Sequence, residues 1–417
     1  MSDTARVLRL ARIGRVARVI RLDARQGSLL AAIPVIAGIG TITAWHALTP
    51  GVADWDATVA ATGGSVRWLG PVAAALAAWT AQRGRRLDYL RALAARSPAA
   101  GPLHDLLLLG SVSVLGYGLA ALTLSGRTVL GDEIGTPHPV GLLAGAAAIV
   151  LHVVAGYLVG RLSTHPATVV LVATVAVAWA WLRPADSLPG LLPPAVMEPV
   201  NLFEGLRPGV LTAQLFWALG LTTALVLGFV VRTTGQTRLL IGVAAAVAVT
   251  VVCTVRLVSY GGRVTGPAPV DLACRTWPIT VCVHPALRTG LPSLTATIAP
   301  LASRLAETPA AFTRLKQLPP WEPASVSGGT ARFHLPDLSP GYAQRTVREI
   351  TSSLTPRRCA GNPYNALVDA WLLDEQAPVL GSASLAFGRW SEAERRSWLV
   401  LRFAAYQSCT LSPPLFD

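Results

Sequence analysis

The sequence predicts a polytopic α-helical membrane protein of about seven transmembrane helices, followed by a C-terminal, helix-rich α+β extracytoplasmic domain. Three observations carry this. Seven apolar windows are long enough, or nearly so, to cross a bilayer. Arginine is distributed unevenly between alternate loops, and four of the five cysteines fall in the C-terminal tail. Bulk composition agrees, with 52 % of the 417 residues hydrophobic and 14 % charged, against roughly 25 % charged in soluble domains. The mean hydropathy of +0.49 requires long stretches to sit in something other than water.

The chain opens with RVLRLARIGRVARVIRLDAR, residues 6–25, which holds seven arginines. A net charge of +13 invites a nucleic-acid reading, because basic arms pair with phosphates and release counterions. The apolar window that follows within a few residues argues otherwise. Arginines at 6, 9, 12, 15, 18 and 21 recur every three residues, so the row drifts around a helix of 3.6 residues per turn. Val16, Val19 and Ile20 flank them on one side. Residues 1–28 therefore read as a basic interfacial helix lying in the inner headgroup layer and held by anionic membrane lipid. Residues 1 to about 15 as a poorly ordered extension is the alternative. No nucleic-acid partner is expected.

A hydrocarbon core of roughly 30 Å needs about 20 apolar residues in a helix. Within residues 29–260 the windows lie near 29–49, 66–82, 103–124, 140–160, 166–182, 211–231 and 239–258. The second and fifth are the weakest, being short or flanked by proline. No small-residue cleavage site follows the first, so it is expected to remain as a helix and not be removed as a signal.

Short cytoplasmic loops retain positive charge. With the N-terminus inside, the inner segments hold fifteen arginines: the opening seven, then Arg83, Arg85, Arg86, Arg91, Arg96, Arg161, Arg232 and Arg238. The outer loops hold four, Arg67, Arg127, Arg183 and Arg207, beside seven acidic residues. Seven crossings place residues 261–417 outside the plasma membrane. The cysteines bear on this independently, because Cys274, Cys282, Cys359 and Cys409 lie in that tail, and disulfides belong to oxidising compartments. Four cysteines allow three pairings. Cys274–Cys282 and Cys359–Cys409 are favoured, with buried free thiols as the alternative.

In the tail, GGRVTGPAP (261–269) reads as a short stalk. Helices are expected over LPSLTATIAPLASRLAE, with Leu294, Ile298, Leu301 and Leu305 on one face, and over PGYAQRTVREITSSL, with Tyr342, Val347, Ile350 and Leu354. A third is expected over WSEAERRSWLVLRFAAYQSC, opened by a Ser391/Glu394 capping box and striped by Trp398, Leu401 and Ala405. ASVSGGTARFHL (324–335) alternates around a Gly-Gly turn as a hairpin does.

Candidate chemistry is sparse. The chain's single lysine, Lys316, lies in RLKQLPP, which excludes a Walker A phosphate loop. His284 and His334 have no metal-binding spacing, and GSASLAFG (381–388) does not satisfy GxSxG. Glu349, Asp369, Asp374, Glu375 and Glu392 read as surface carboxylates. No catalytic, cofactor or metal site is assigned, and the chain is not expected to be an enzyme. In the fourth window, Gly141 and Gly145, then Gly156 and Gly160, are four apart and favour close helix packing, within one chain or between two. His152 in the same window is the intramembrane polar candidate; bonded to a neighbouring carbonyl, or a proton relay. His104 and Asp105 stand at the inner mouth of the third window.

The longest inner loop, AQRGRRLDYLRALAARSPAAGP, places Leu87, Leu90 and Ala94 on one helical face with arginines around them. With the basic N-terminal segment and the Pro-rich outer stretch before the sixth window, this arrangement resembles the permease subunits of bacterial ATP-binding-cassette exporters of the type-2 class, in the actinobacterial style. The resemblance covers roughly residues 6–260. It implies a coupling helix over residues 83–97, with Arg85, Arg86, Leu87, Leu90 and Arg91 meeting a separate cytoplasmic ATPase, and a second permease copy as partner. That family commonly has six helices with both ends inside, and a seventh helix with an exterior domain departs from this. A membrane-anchored surface protein, whose exterior domain binds or senses a partner, is the alternative.

Overall fold

The computed structural model describes residues 28–85, 98–131, 134–163, 165–184, 187–193, 200–261, 263–356, 359 and 361–416. The expected interfacial helix over 1–28 and most of the expected coupling helix lie outside these residues. Two compact units result. One is drawn from residues up to 48, 53–200 and 204–266; the other holds 49–52, 201–203 and 267–417.

Seven long helices among the described residues build the first unit: Ser28–Ala47 (α1), Trp55–Arg85 (α2), Ala100–Leu130 (α3), Pro139–Leu162 (α4), Ala167–Trp181 (α5), Pro208–Thr234 (α6) and Leu240–Ser259 (α7), with a single four-residue turn of helix, Leu188–Leu191, between α5 and α6. Four stretches are long and apolar enough to cross a membrane by length and composition, namely α3, α4, α6 and Thr237–Ser259, which contains α7. α1 and α5 contribute shorter apolar stretches.

Contacts sort the helix termini into two ends. At one end Asp54 bridges Ile134, Thr58 shares a 2.6 Å hydroxyl bond with Thr128, and the Arg207 side chain reaches the Tyr260 carbonyl. At the other, Gln82 donates to the His165 carbonyl at 2.8 Å and Arg85 to the Ser163 carbonyl at 3.0 Å. Consecutive helices therefore alternate in direction.

The window expected over 66–82 is only the second half of α2. Its first half, WDATVAATGGSVRW, is polar by composition yet buried at Thr58, Thr62 and Ser65. Thr58 and Thr62 return their hydroxyls to carbonyls one turn back and Ser65 to the carbonyl of Thr62, which removes the cost of an unmade bond in an apolar interior. Hydropathy alone stops short of such a segment.

Glycines on α4 set how close the bundle packs. A Cβ at Gly156 would lie 2.2 Å from the Ala74 carbonyl oxygen, and one at Gly160 would lie 2.5 Å from that of Ala78. Both obstacles are backbone, which cannot step aside. Gly141 meets Val59, and Gly145 meets the Tyr117 hydroxyl. The two glycine pairs thus serve packing within the chain, against α2, α3 and α6.

The second unit is α+β. Its sheet runs β3–β4–β5–β7–β6, with strands Ala273–Arg275 (β3), Thr280–Val283 (β4), Arg314–Gln317 (β5), Ser325–Ser327 (β6) and Thr330–Phe333 (β7). The inner pairings β4–β5 and β5–β7 are parallel, and both edges are antiparallel. Period-2 alternation turns Val281, Val283, Leu315, Ala331 and Phe333 inward. The expected hairpin is β6–β7, turned by Gly328 and Gly329, both at positive φ, as a two-residue turn between twisted strands requires.

Helices Leu291–Arg304 (α8), Tyr342–Ser353 (α9), Pro363–Leu373 (α10), Ser382–Arg389 (α11) and Glu392–Ser408 (α12) complete the unit. Leu294, Ile298, Leu301 and Leu305 are buried as expected, and the capping box at Ser391 and Glu394 is formed in both directions. The stripe expected on α12 is wrong by one residue. Leu399, Phe403 and Tyr406 face inward, and Leu401 is 80 % exposed, because the i, i+4, i+7 face starts one position later. The expected stalk is also corrected. Thr265–Pro267 (β2) pairs with Glu204–Leu206 (β1) in a two-stranded ribbon, with Thr265 donating to the Glu204 carboxylate at 3.0 Å.

Both favoured disulfides are present. Cys274 and Cys282 face each other across β3 and β4, and Cys359 is tied to Cys409 just past α12, fifty residues on. Cys253 is a buried free thiol on α7.

Two outcomes follow from this packing. Gly156→Ala lowers the thermal midpoint of the detergent-solubilised chain by several degrees, whereas Gly126→Ala, with nothing within 4 Å of its Cβ, leaves it unchanged or raises it, since alanine is favoured over glycine in a helix by about 1 kcal/mol. Loop closure scales with loop length, so opening Cys359–Cys409 costs the second unit about 4 kcal/mol and opening Cys274–Cys282 about 2.5 kcal/mol; chemical unfolding of the two double-serine variants measures the difference.

Candidate functional site

His152 sits about three turns before the end of α4, buried, with Nδ1 2.7 Å from the Ala148 carbonyl oxygen. The ring lies over Gly70 of α2, where a Cβ would come within 2.9 Å of it. Of the two expectations for this residue, the structure displays the carbonyl-bonded arrangement. The histidine also forms part of the wall of an apolar cavity of about 470 Å³ between α2, α4, α5 and α6. Leu171, Val175, Trp179, Trp217 and Leu221 supply most of the rest of that wall.

Trp179 and Trp217 stand in the wall of this cavity, and arginines stack on the tryptophans of α5. Trp179 donates its indole N–H to the Pro193 carbonyl, and Trp217 donates to the Thr254 hydroxyl at 3.1 Å. Arg183 stacks on the Trp179 ring, 4.4 Å from its centroid, and donates to the Pro189 and Leu192 carbonyls at 2.7 Å each. Arg67, in the middle of α2, lies over the Trp181 ring at 4.3 Å and bonds the Ala180 carbonyl. Cation–π stacking and carbonyl bonds both contribute to holding a guanidinium away from bulk water. Sequence reasoning counted Arg67 and Arg183 only as loop charges. For Arg183, its place two residues after the Trp-Ala-Trp triplet at 179–181 was the available signal; Arg67, distant in sequence, carried none.

A second recess, of about 530 Å³, is lined by Arg85, Arg161 and Arg232 together with Leu158, Leu225 and Phe229. Each arginine stands in the last turn of its helix, where a cation offsets the partial negative charge of the helix end. Leu225 belongs to both cavities. On the neighbouring face, the Tyr157 hydroxyl donates to Asp105 at 3.0 Å, so the carboxylate expected at the mouth of the third window is buried against α4. Of the expected coupling residues, Arg85 ends α2 and bonds Ser163; Arg86, Leu87, Leu90 and Arg91 lie outside the described residues.

In the second unit the titratable side chains hold structure together. Arg304 joins three elements, donating to Glu392 at 2.9 Å, to Asp374 at 3.2 Å and to the Trp371 carbonyl at 2.6 Å. Glu375 pairs with Arg348 at 2.8 Å, and Asp369 accepts from the Tyr406 hydroxyl. His284 caps the turn at Pro285, its Nδ1 accepting from Ala286 N–H, and burial lowers its pKa to about 4. Among the described residues, no group of three or more His, Cys, Asp or Glu side chains is placed to hold a metal ion.

His334 is the exception in sign. Desolvation would depress it, but the Glu349 carboxylate 2.5 Å from Nδ1 and the Glu322 carbonyl at Nε2 outweigh that and hold its pKa above the ordinary histidine value. A raised folded-state pKa contributes stability that is complete below the unfolded value near 6.5 and disappears as pH rises through the folded value. Above about pH 6.5, where His284 is neutral folded and unfolded alike, the second unit therefore loses stability as pH rises, and His334→Gln flattens that slope; unfolding midpoints across pH 7–9 measure both.

No protein-family model, no curated protein and no solved structure matches this chain.

Proposed function

We propose that the chain is a multi-pass permease subunit that works with a separate cytoplasmic ATPase and a second permease copy and moves amphipathic cargo. In this reading all seven helices cross the plasma membrane, with the N-terminus inside and the disulfide-bonded second unit outside. Alternating helix direction supports it. So does charge, since Arg83, Arg85, Arg161, Arg232 and Arg238 gather where α2, α4 and α6 end, as positive-inside retention requires. At 15 residues α5 is the short member, spanning about 22 Å of helix, and the tryptophans near its end suit an interface.

The observation that carries the reading is the apolar cavity between α2, α4, α5 and α6, joined through Leu225 to an arginine-lined recess where α2 ends at Arg85. Apolar walls with a charged mouth match a cargo that has both characters. A lever at residues 83–97 would transmit ATPase closure to α2, whose tight seam with α4 borders that cavity.

The second reading is a surface protein whose exterior unit binds a partner. Trp277 at 77 % and Trp321 at 55 % exposure favour it, since exposed aromatic residues are enriched where proteins are recognised.

Purification of the full chain in mild detergent from its native cells brings a P-loop ATPase with it in stoichiometric amount, and replacing residues 86–97 by a Gly-Ser linker of equal length releases that ATPase while the chain stays membrane-bound. Purification without an ATPase, under conditions that keep other membrane complexes intact, moves the function to the exterior unit.

A further inference from the structure

We propose that the apolar cavity takes an uncharged hydrocarbon alcohol, its hydroxyl donating to Nε2 of His152 and its chain lying against Leu171, Val175, Trp179 and Trp217. The inference deepens the permease reading by naming the class of molecule that enters this site. It rests on that reading only for the molecule's being cargo, since binding itself needs no ATPase.

The acceptor is in place and no described residue uses it. A carbonyl oxygen only accepts, so the 2.7 Å contact with Ala148 fixes the proton of the neutral ring on Nδ1 and leaves Nε2 as an acceptor. Of the four polar side-chain nitrogens in the cavity wall, the other three are engaged: Nδ1 by Ala148, the Trp179 indole by the Pro193 carbonyl and the Trp217 indole by the Thr254 hydroxyl. Nε2 has no hydrogen bond among the described residues and keeps accessible surface, although His152 as a whole is only 8 % exposed. A Cβ on Gly70 would lie 2.9 Å from both Cδ2 and Nε2 and 3.1 Å from Cε1. Near-equal distances to three adjacent ring atoms place that point over the ring face, off the in-plane line of the Nε2 lone pair.

Charge and depth select the alcohol. The other wall residues are all apolar or tryptophan, so a charged group there meets no counter-charge. A primary amine would enter as a cation, and an amide brings a carbonyl that finds no donor in the wall, which leaves a hydroxyl. Ten residues separate His152 from Leu162 at the end of α4, about 15 Å at 1.5 Å per residue, matching the roughly 15 Å half-thickness of a hydrocarbon core. In the membrane-spanning reading Nε2 therefore stands near the midplane, where phospholipid acyl tails carry no N–H or O–H and headgroups do not reach. A tail filling the cavity leaves the acceptor unmade, whereas an alcohol seats its chain and satisfies Nε2 at once. The volume of about 470 Å³ lies within the range for small-molecule sites, roughly 300–1,000 Å³.

Equilibrium binding of radiolabelled dodecanol and of its methyl ether to the full chain in lipid nanodiscs, corrected for uptake by empty nanodiscs, tests this. The native chain binds the alcohol about tenfold more tightly than the ether, the ratio expected between one buried acceptor satisfied and left unmade. His152→Phe keeps a ring over Gly70, removes the acceptor and brings the ratio to one. Leu221→Trp keeps the histidine and fills the cavity, and it weakens binding of both probes severalfold, so a failure of the His152 variant to fold does not decide the matter. Equal binding by the native chain, an unchanged ratio in folded His152→Phe, or undiminished binding in Leu221→Trp overturns the proposal. A tenfold ratio in a chain that brings no ATPase with it supports the site and removes the cargo role. An ATPase that co-purifies with a chain binding both probes equally keeps the permease reading and overturns the site alone.

Discussion

The first unit depends on one close approach, the backbone of α4 against the backbone of α2. Gly156 and Gly160 remove the side chains from one side of that seam, and Ala74 and Ala78 keep the other side small. In the membrane-spanning reading there is no hydrophobic gain from pairing two helices, so contact between closely packed backbones has to supply the attraction. Once α2 and α4 are fixed, the remaining helices find their places from them: α5 along α2, α6 along α4, and α3 through Tyr117 against Gly145. The cavity that holds His152 is what remains beside this seam where α5 and α6 stand off from it.

The second unit is held by different physics. A short mixed sheet and five helices carry two disulfides and a set of charge-assisted bonds centred on Arg304, Arg348 and His334. Gln317 links the sheet to both flanking turns, accepting from His284 N–H and donating to the Leu335 carbonyl. Phe387, Trp390, Trp398 and Phe416 add a packed aromatic cluster where α11, α12 and the chain's last turn meet. Charged side chains used in this way serve cohesion, and their partners lie far apart in sequence.

What was legible in the sequence follows from whether the signal was local. The apolar runs of α3, α4, α6 and α7, the Gly328–Gly329 hairpin and the Ser391 cap could be read because a few neighbouring residues specify each of them. The start of α2 could not, since Thr58, Thr62 and Ser65 look exposed until their hydroxyls are seen bonded inside the helix. Nor could the strand at Thr265, which needs a partner sixty residues earlier. At the candidate site, His152 stood out as the one imidazole in its window. Arg161 and Arg232 were visible only as topological charges, because their convergence depends on α4 and α6 ending at the same level.

The hydroxyl-lined first half of α2 also bears on how the chain is made. A segment with threonine and serine facing inward gains little by entering lipid alone, and the partners that reward its burial, Thr128 on α3 and the glycine face of α4, are synthesised after it. In the membrane-spanning reading proposed above, α2 waits beside the insertion machinery until α3 and α4 emerge, and the three helices pass into the bilayer together.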